Sequence, residues 1–165
     1  MDRESARCVA MMSIKPQFAF RLLSGEKRVE FRRRSTAKKI THIVIYATRP
    51  VGAVVGILEV QDLAQGTPRA LWQAFADVGG IEQADFFDYF SGSTSGVAYI
   101  VGKAWSCAEA HELGKFGLPK VPPQAFRYLD SDTVKKLKVQ QSSQDVDYES
   151  WLNRHCSRRA LFANA

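Results

Sequence analysis

Lys27, Glu30 and Arg32 lie within one six-residue stretch, KRVEFR. An amine and a carboxylate held in one cleft could divide general acid and base work. A guanidinium oriented by that carboxylate keeps further donors free for an anionic ligand. The plainer alternative is a solvated strand whose ion pairs contribute little. Taken alone, Glu30 suits that plainer reading slightly better than the chemical one.

The surroundings weigh against it for the stretch as a whole. From Lys27 to Lys39 the chain reads KRVEFRRRSTAKK, with Lys27, Arg28, Arg32, Arg33, Arg34, Lys38 and Lys39 against the single acid Glu30. That excess equals the +6 net charge of all 165 residues, so the remainder carries as many acids as bases. A merely soluble surface mixes its signs. A massed cationic run sets up a local field that attracts phosphate backbones or other anions. Nucleic acid is the expected partner.

The elements that must position these residues follow from pattern. Cys8 to Ile14 is apolar enough for a buried strand. Pro16 suits the first turn of a helix that carries Phe18 and Leu22 inward and stops at Gly25. Val29 and Phe31 alternate with Arg28, Glu30 and Arg32, the signature of a half-buried strand. Thr41 to Ala47 is a strong strand, and Val51 to Leu63 a longer one with Gly52 and Gly56 as bend or bulge points. Thr67 and Pro68 open a helix with Leu71, Trp72 and Phe75 on its apolar side. Glu82 to Phe90 predicts a second short helix, and Val97 to Trp105 another strand. Gln124 to Leu129, behind Pro122 and Pro123, reads as a short helix or turn. Asp132 to Val139 and Asp145 to Cys156 read as polar helices. The sum is an α+β chain, too irregular in its alternation for a doubly wound parallel sheet.

These residues resemble the ASCH domain family, which is related to PUA domains. The family's G-x-K-x-x-[ET]-x-R core is met by Gly25, Lys27, Glu30 and Arg32. Ser13-Ile14-Lys15-Pro16 precedes it, and Ile43 to Thr48, Pro50-Val51 and Val55-Gly56 follow in order. Pro122 to Tyr128 is similar to a closing segment of its small prokaryotic members. The resemblance covers about Met11 to Leu129, which divides the chain into a domain over 1–129 and a C-terminal helical extension or tail over 130–165. It implies a PUA-like, partly closed β-barrel with peripheral helices, and a basic cleft beside the first helix that binds RNA or another nucleic acid. Lys15, Lys27, Glu30 and Arg32 would line that cleft, with Arg33 and Arg34 at its rim. Arg49, Arg127 and Tyr128 are further nucleic-acid contacts. Tyr46 and Phe126 are also candidates, because aromatic rings can stack bases, although Tyr46 inside an apolar strand reads more simply as core.

Some members of the family are hydrolases. In acetylcytidine amidohydrolases a Lys and a Thr of K-x-x-T-x-R take part in deacylation, and another branch is associated with RNA cleavage. Here Glu30 stands where that Thr would, and a carboxylate does not replace a hydroxyl in its role. If this chain is an enzyme, an amidohydrolase or ribonuclease acting through Lys27 and Glu30 is the expectation. A binding module without chemistry is the leading one.

The rest of the composition excludes more than it suggests. No apolar run approaches the ~20 residues of a membrane span, and the first residues do not resemble a secretory signal. The cytoplasm is the expected location, with no membrane partner. Cys8, Cys107 and Cys156 are too sparse for a disulfide framework or a zinc site, even with His155 beside Cys156. No metal and no cofactor is expected. Trp151 and the terminal helix offer a weaker possibility, a docking surface for a protein partner.

Overall fold

The computed structural model describes residues 7–137 and 139–141. Seven strands form one mixed sheet: β1 (Val9–Ile14), β2 (Val29–Arg32), β3 (His42–Ala47), β4 (Ala53–Gly66), β5 (Gly96–His111), β6 (Phe126–Leu129) and β7 (Val139–Gln141). Their order is β2-β5-β4-β3-β1-β6, and β7 pairs with β5 beyond the end of β2. β1 and β3 run parallel, while the other ladders are antiparallel. No ladder joins β2 to β6 among the described residues, so the sheet is open in its backbone hydrogen bonds.

Among the described residues four α-helices flank it: α1 (Pro16–Ser24), α2 (Pro68–Phe75), α3 (Gln83–Tyr89) and α4 (Ser131–Lys136). Local chemistry sets their ends. Pro16 occupies the first turn of α1, and Gly25 closes it in the left-handed conformation at φ 84°, which costs a residue without a Cβ nothing. Thr67 caps α2 by accepting from the Ala70 N–H, and Asp130 caps α4 by accepting from the Thr133 N–H. Gly56 lies where β4 shifts register against both neighbours.

Both faces of the central strands are covered, which explains their nearly unbroken apolar runs. Ala10, Met12 and Ile14 of β1 and Ile43, Ile45 and Ala47 of β3 face α1. Val9 and Met11 of β1, with Val44 and Tyr46 of β3, face the opposite layer, built from Leu118, Val134 and Leu137. A third cluster packs Phe31 of β2 against Leu71, Phe86 and Phe90. Phe31 meets Phe86 edge to face at 4.8 Å.

Two elements depart from the sequence reading: the helix expected over Asp132 to Val139 stops at Lys136, with Val139 opening the strand β7, and the segment before it is no helix or turn. Phe126–Leu129 is a strand, β6, antiparallel to β1. A helix there would have scattered its aromatics, whereas alternation turns Phe126 and Tyr128 onto the α1-side core and leaves Arg127 exposed. β4 and β5 also run longer than expected, to Gly66 and His111. The helix expected over 145–156, with Trp151, His155 and Cys156, lies outside the described residues.

Candidate nucleic-acid interface

The β2 residues Glu30 and Arg32 come together with Lys27, just before the strand. Lys27 is 2% exposed. Its ammonium donates to the carbonyl of Gly79 and lies over the rings of Phe31, at 4.9 Å, and Phe18, at 5.4 Å. The Gly79-Gly80 turn covers it closely, for a Cβ at Gly80 would stand 2.6 Å from that of Lys27. Arg21 fastens the same turn by donating to the Gly80 carbonyl at 2.8 Å. Burial pushes the pKa of Lys27 down; Glu30 opposes that shift and Arg21 adds to it.

Glu30 is 6% exposed and pairs with Arg32 at 3.6 Å. The Arg32 guanidinium then crosses the open side of the sheet. It donates to the Ser13 carbonyl on β1 at 3.2 Å and to the Ala125 carbonyl, just ahead of β6, at 2.8 Å. Among the described residues no strand ladder crosses this seam, and one side chain supplies two contacts in its place.

Beside the seam lies a cleft of about 470 Å³, lined by Ser13, Tyr46, Thr48, Arg49 and the segment Pro122 to Gln124. The Ser13 hydroxyl donates to the Pro123 carbonyl at 2.7 Å, so β1 and Arg32 together hold the wall formed by residues 122–125. Tyr46 is 7% exposed: its ring belongs to the core while its side chain lines the cleft. Arg49 is exposed at the mouth. The Ser13 proton is spent on Pro123, which leaves the Tyr46 and Thr48 hydroxyls and the Arg49 guanidinium to suit an oxyanion that accepts hydrogen bonds, and no carboxylate lines the space to repel it.

The remaining candidates scatter. Lys15 is exposed ahead of α1, whose first amides, at Phe18 and Ala19, donate to its carbonyl. Arg33 is folded onto α3: its Nε donates to the Tyr89 carbonyl at 2.8 Å and its guanidinium lies 5.0 Å from the Tyr89 ring centre. Arg34 and Arg127 are exposed. The Tyr128 hydroxyl accepts from the Lys38 N–H at 3.0 Å, its ring lies beneath the Lys38 ammonium at 5.1 Å, and Phe126 packs on it edge to face at 5.2 Å. The structure therefore brings Lys27, Glu30 and Arg32 together, with Tyr46 and Arg49 in the neighbouring cleft. Lys15, Arg33, Arg34, Arg127 and Tyr128 are outside both groups.

Sequence reasoning missed Ser13, Thr48 and the Pro122–Gln124 wall as parts of one cleft. The signal was faint: a serine at the end of an apolar strand and a threonine where the next one stops. Among the described residues, no group of His, Cys, Asp and Glu could hold a metal ion, and no helix is long and apolar enough to cross a membrane.

No protein-family model matches the chain. It is 30% identical over 131 residues to an ASCH domain-containing ribonuclease of Zymomonas mobilis, a match that spans 78% of this chain and 88% of the relative. The crystal structure of ASCH from Zymomonas mobilis aligns with a TM-score of 0.68 at 29% identity, over 78% of this chain and 92% of that one. A serine-to-alanine mutant of the same protein aligns at 0.72 and 30% identity, over 79% and 94%. Sequence and fold thus agree over most of the length of both chains, and the chain belongs to the ASCH domain family.

Proposed function

We propose that this protein binds RNA, and that the cleft between Ser13, Tyr46, Thr48, Arg49 and the Pro122–Gln124 wall receives the backbone. The observation that carries this reading is the convergence of Tyr46, Thr48 and the exposed Arg49 guanidinium in a space of about 470 Å³. The RNA-related name of a relative that shares most of its length with this chain supports it. Phosphate contacts of this kind position a strand without reading its sequence. Arg34 and Arg127, both exposed, with Lys15, are proposed to extend the positive field around the mouth. The fold reads as a PUA-like barrel left partly open, with the Arg32 side chain spanning the gap between β2 and the β1–β6 edge.

Filter binding of single-stranded RNA at two salt concentrations tests this. Affinity should fall as salt rises, and the slope should shrink by about one for each phosphate-contacting cation removed. Arg49→Ala is the decisive variant. A wild-type affinity that ignores salt, or an Arg49→Ala protein that binds like wild type, overturns the reading.

Hydrolysis of RNA is the second reading, and one observation favours it. Burial weakens protonation of Lys27, and Arg21 adds to that effect against the opposing charge of Glu30, which suits a general base. The Gly79-Gly80 turn would have to lift before a substrate reached that amine. Incubation of RNA with wild type and Lys27→Ala decides: equal cleavage, or none from either, removes Lys27 as a catalytic residue.

A further inference from the structure

A second depression, of about 290 Å³, lies between the sheet and α4. Its lining combines the Trp105 and His42 rings, 6.0 Å apart, with the cations Arg7 and Lys135 and an apolar floor that includes Ile57 and Leu137. Neither Arg7 nor Lys135 is in an ion pair among the described residues. Burial and the nearby Arg7 depress the pKa of His42, with Glu59 opposing, so near neutral pH the imidazole is a ring surface more than a third cation.

Strand register relates this depression to the cleft. Val9 pairs with His42 and Ser13 pairs with Tyr46 along the parallel β1–β3 ladder. Val9 and Ser13 are four residues apart, as are His42 and Tyr46, so all four point to the same side. The depression takes Val9 and His42; the cleft takes Ser13 and Tyr46. They are the two ends of one sheet face, about 13 Å apart at ~3.3 Å per residue. Leu118, Val134 and Leu137 pack on this face, Val134 and Leu137 at the depression itself.

We infer that the Trp105–His42 depression is a second nucleotide subsite, which stacks one base against Trp105 and takes its phosphate on Arg7 and Lys135. The inference rests on the RNA reading of the cleft. Aromatic stacking suits any base, while a phosphate needs cations, which Arg7 and Lys135 supply at the rim. Glu59, opposite His42 on β4, disfavours anions at the β4 side, so the phosphate belongs toward Arg7 and Lys135. One strand then touches the sheet face at both ends.

The full chain is titrated with a dinucleotide and a single-stranded decanucleotide by fluorescence anisotropy. Trp105→Ala is expected to weaken the decanucleotide about tenfold, within the range for one stacked base, and to leave the dinucleotide, held at the cleft, unchanged. Lys135→Glu should also weaken the decanucleotide alone, and its exposed position on α4 makes misfolding no explanation. Arg49→Ala should weaken both ligands. If both depression variants bind the decanucleotide like wild type while Arg49→Ala does not, the subsite falls and the RNA reading stands. If wild type binds neither ligand, both fall together.

Discussion

The guanidinium of Arg32 and the carbonyl of Ala125 meet at 2.8 Å across 93 positions of sequence. That bond joins β2, one edge of the sheet, to the approach of β6, the other edge. The same guanidinium reaches Ser13 at 3.2 Å and Glu30 at 3.6 Å. Arg32 therefore fixes the wall of the cleft from behind, and the G-x-K-x-x-E-x-R core acts at a seam of the fold.

Arg32→Ala should destabilise the chain by about 2 kcal/mol, less than the ~3–5 kcal/mol for breaking a fully buried pair because Arg32 retains some solvent contact. The cost comes mainly from stranding the buried Glu30 carboxylate. Arg32→Lys should recover little, since a point charge does not span two carbonyls and a carboxylate. Urea midpoints of the two variants check this; a lysine protein as stable as wild type would remove the bridging argument.

Gly56 packs where α1 crosses β4. A Cβ there would stand 2.5 Å from a Leu23 methyl and 2.5 Å from the Trp105 carbonyl. The methyl could turn aside, but the carbonyl belongs to the β4–β5 ladder and is held. Gly56→Ala is therefore expected to cost at least about 1–3 kcal/mol by overpacking. An unchanged thermal midpoint would contradict the close approach.

Cys107 is buried, and that burial pushes its thiol up to about 12. The thiolate, which is the reactive form, is scarce at ordinary pH. Alkylation at mildly alkaline pH, followed by peptide mass spectrometry, should label the half-buried Cys8 at least about tenfold faster than Cys107. Comparable rates would mean that the layer over Cys107 opens readily.

Lys27 gives a pH dependence of definite sign. Its folded pKa lies below the ordinary value of 10.5. Between that lowered value and 10.5 the unfolded chain binds more protons here, so stability from this group rises with pH through the window. Below the window the full penalty of burying the ammonium remains. Tyr89 and Cys107, both pushed up by burial, act the opposite way at high pH. Comparison with Lys27→Met cancels them: wild type should gain on the variant between neutral pH and about pH 10. A constant difference in urea midpoint across that range would mean Lys27 is as protonated as it is in water.

Much of this arrangement was legible in the chain because local rules carried it. Pro16 and Gly25 bracket α1, Thr67 caps α2, and the alternation of Val29 and Phe31 with Glu30 and Arg32 marks β2. What local rules leave open is which way a charged residue turns once two distant segments meet. Lys27, read as a cleft residue, is covered by a glycine turn 52 positions on, and Arg33 finds a carbonyl 56 positions on. Neither spacing leaves a periodic trace. β6 was hidden for a related reason: four residues behind two prolines are too few for alternation to stand out, and only pairing with β1 makes them a strand.

Tyr46 separates the fold from the function. Its ring packs with Val9, Met11, Val44 and Val54, its hydroxyl lies where a Cβ added at Gly52 would be 3.7 Å away, and the residue also lines the cleft. Tyr46→Phe keeps the ring and deletes the hydroxyl, so stability should change by no more than the ~0.5–1.5 kcal/mol of one hydrogen bond. Tyr46→Ala should cost about 3–5 kcal/mol, as for other buried aromatics. If the hydroxyl serves the ligand, Tyr46→Phe will weaken RNA binding by about fivefold or more at nearly unchanged stability. An affinity equal to wild type would return Tyr46 to the core alone, and would leave Arg49 as the cleft's chief contact.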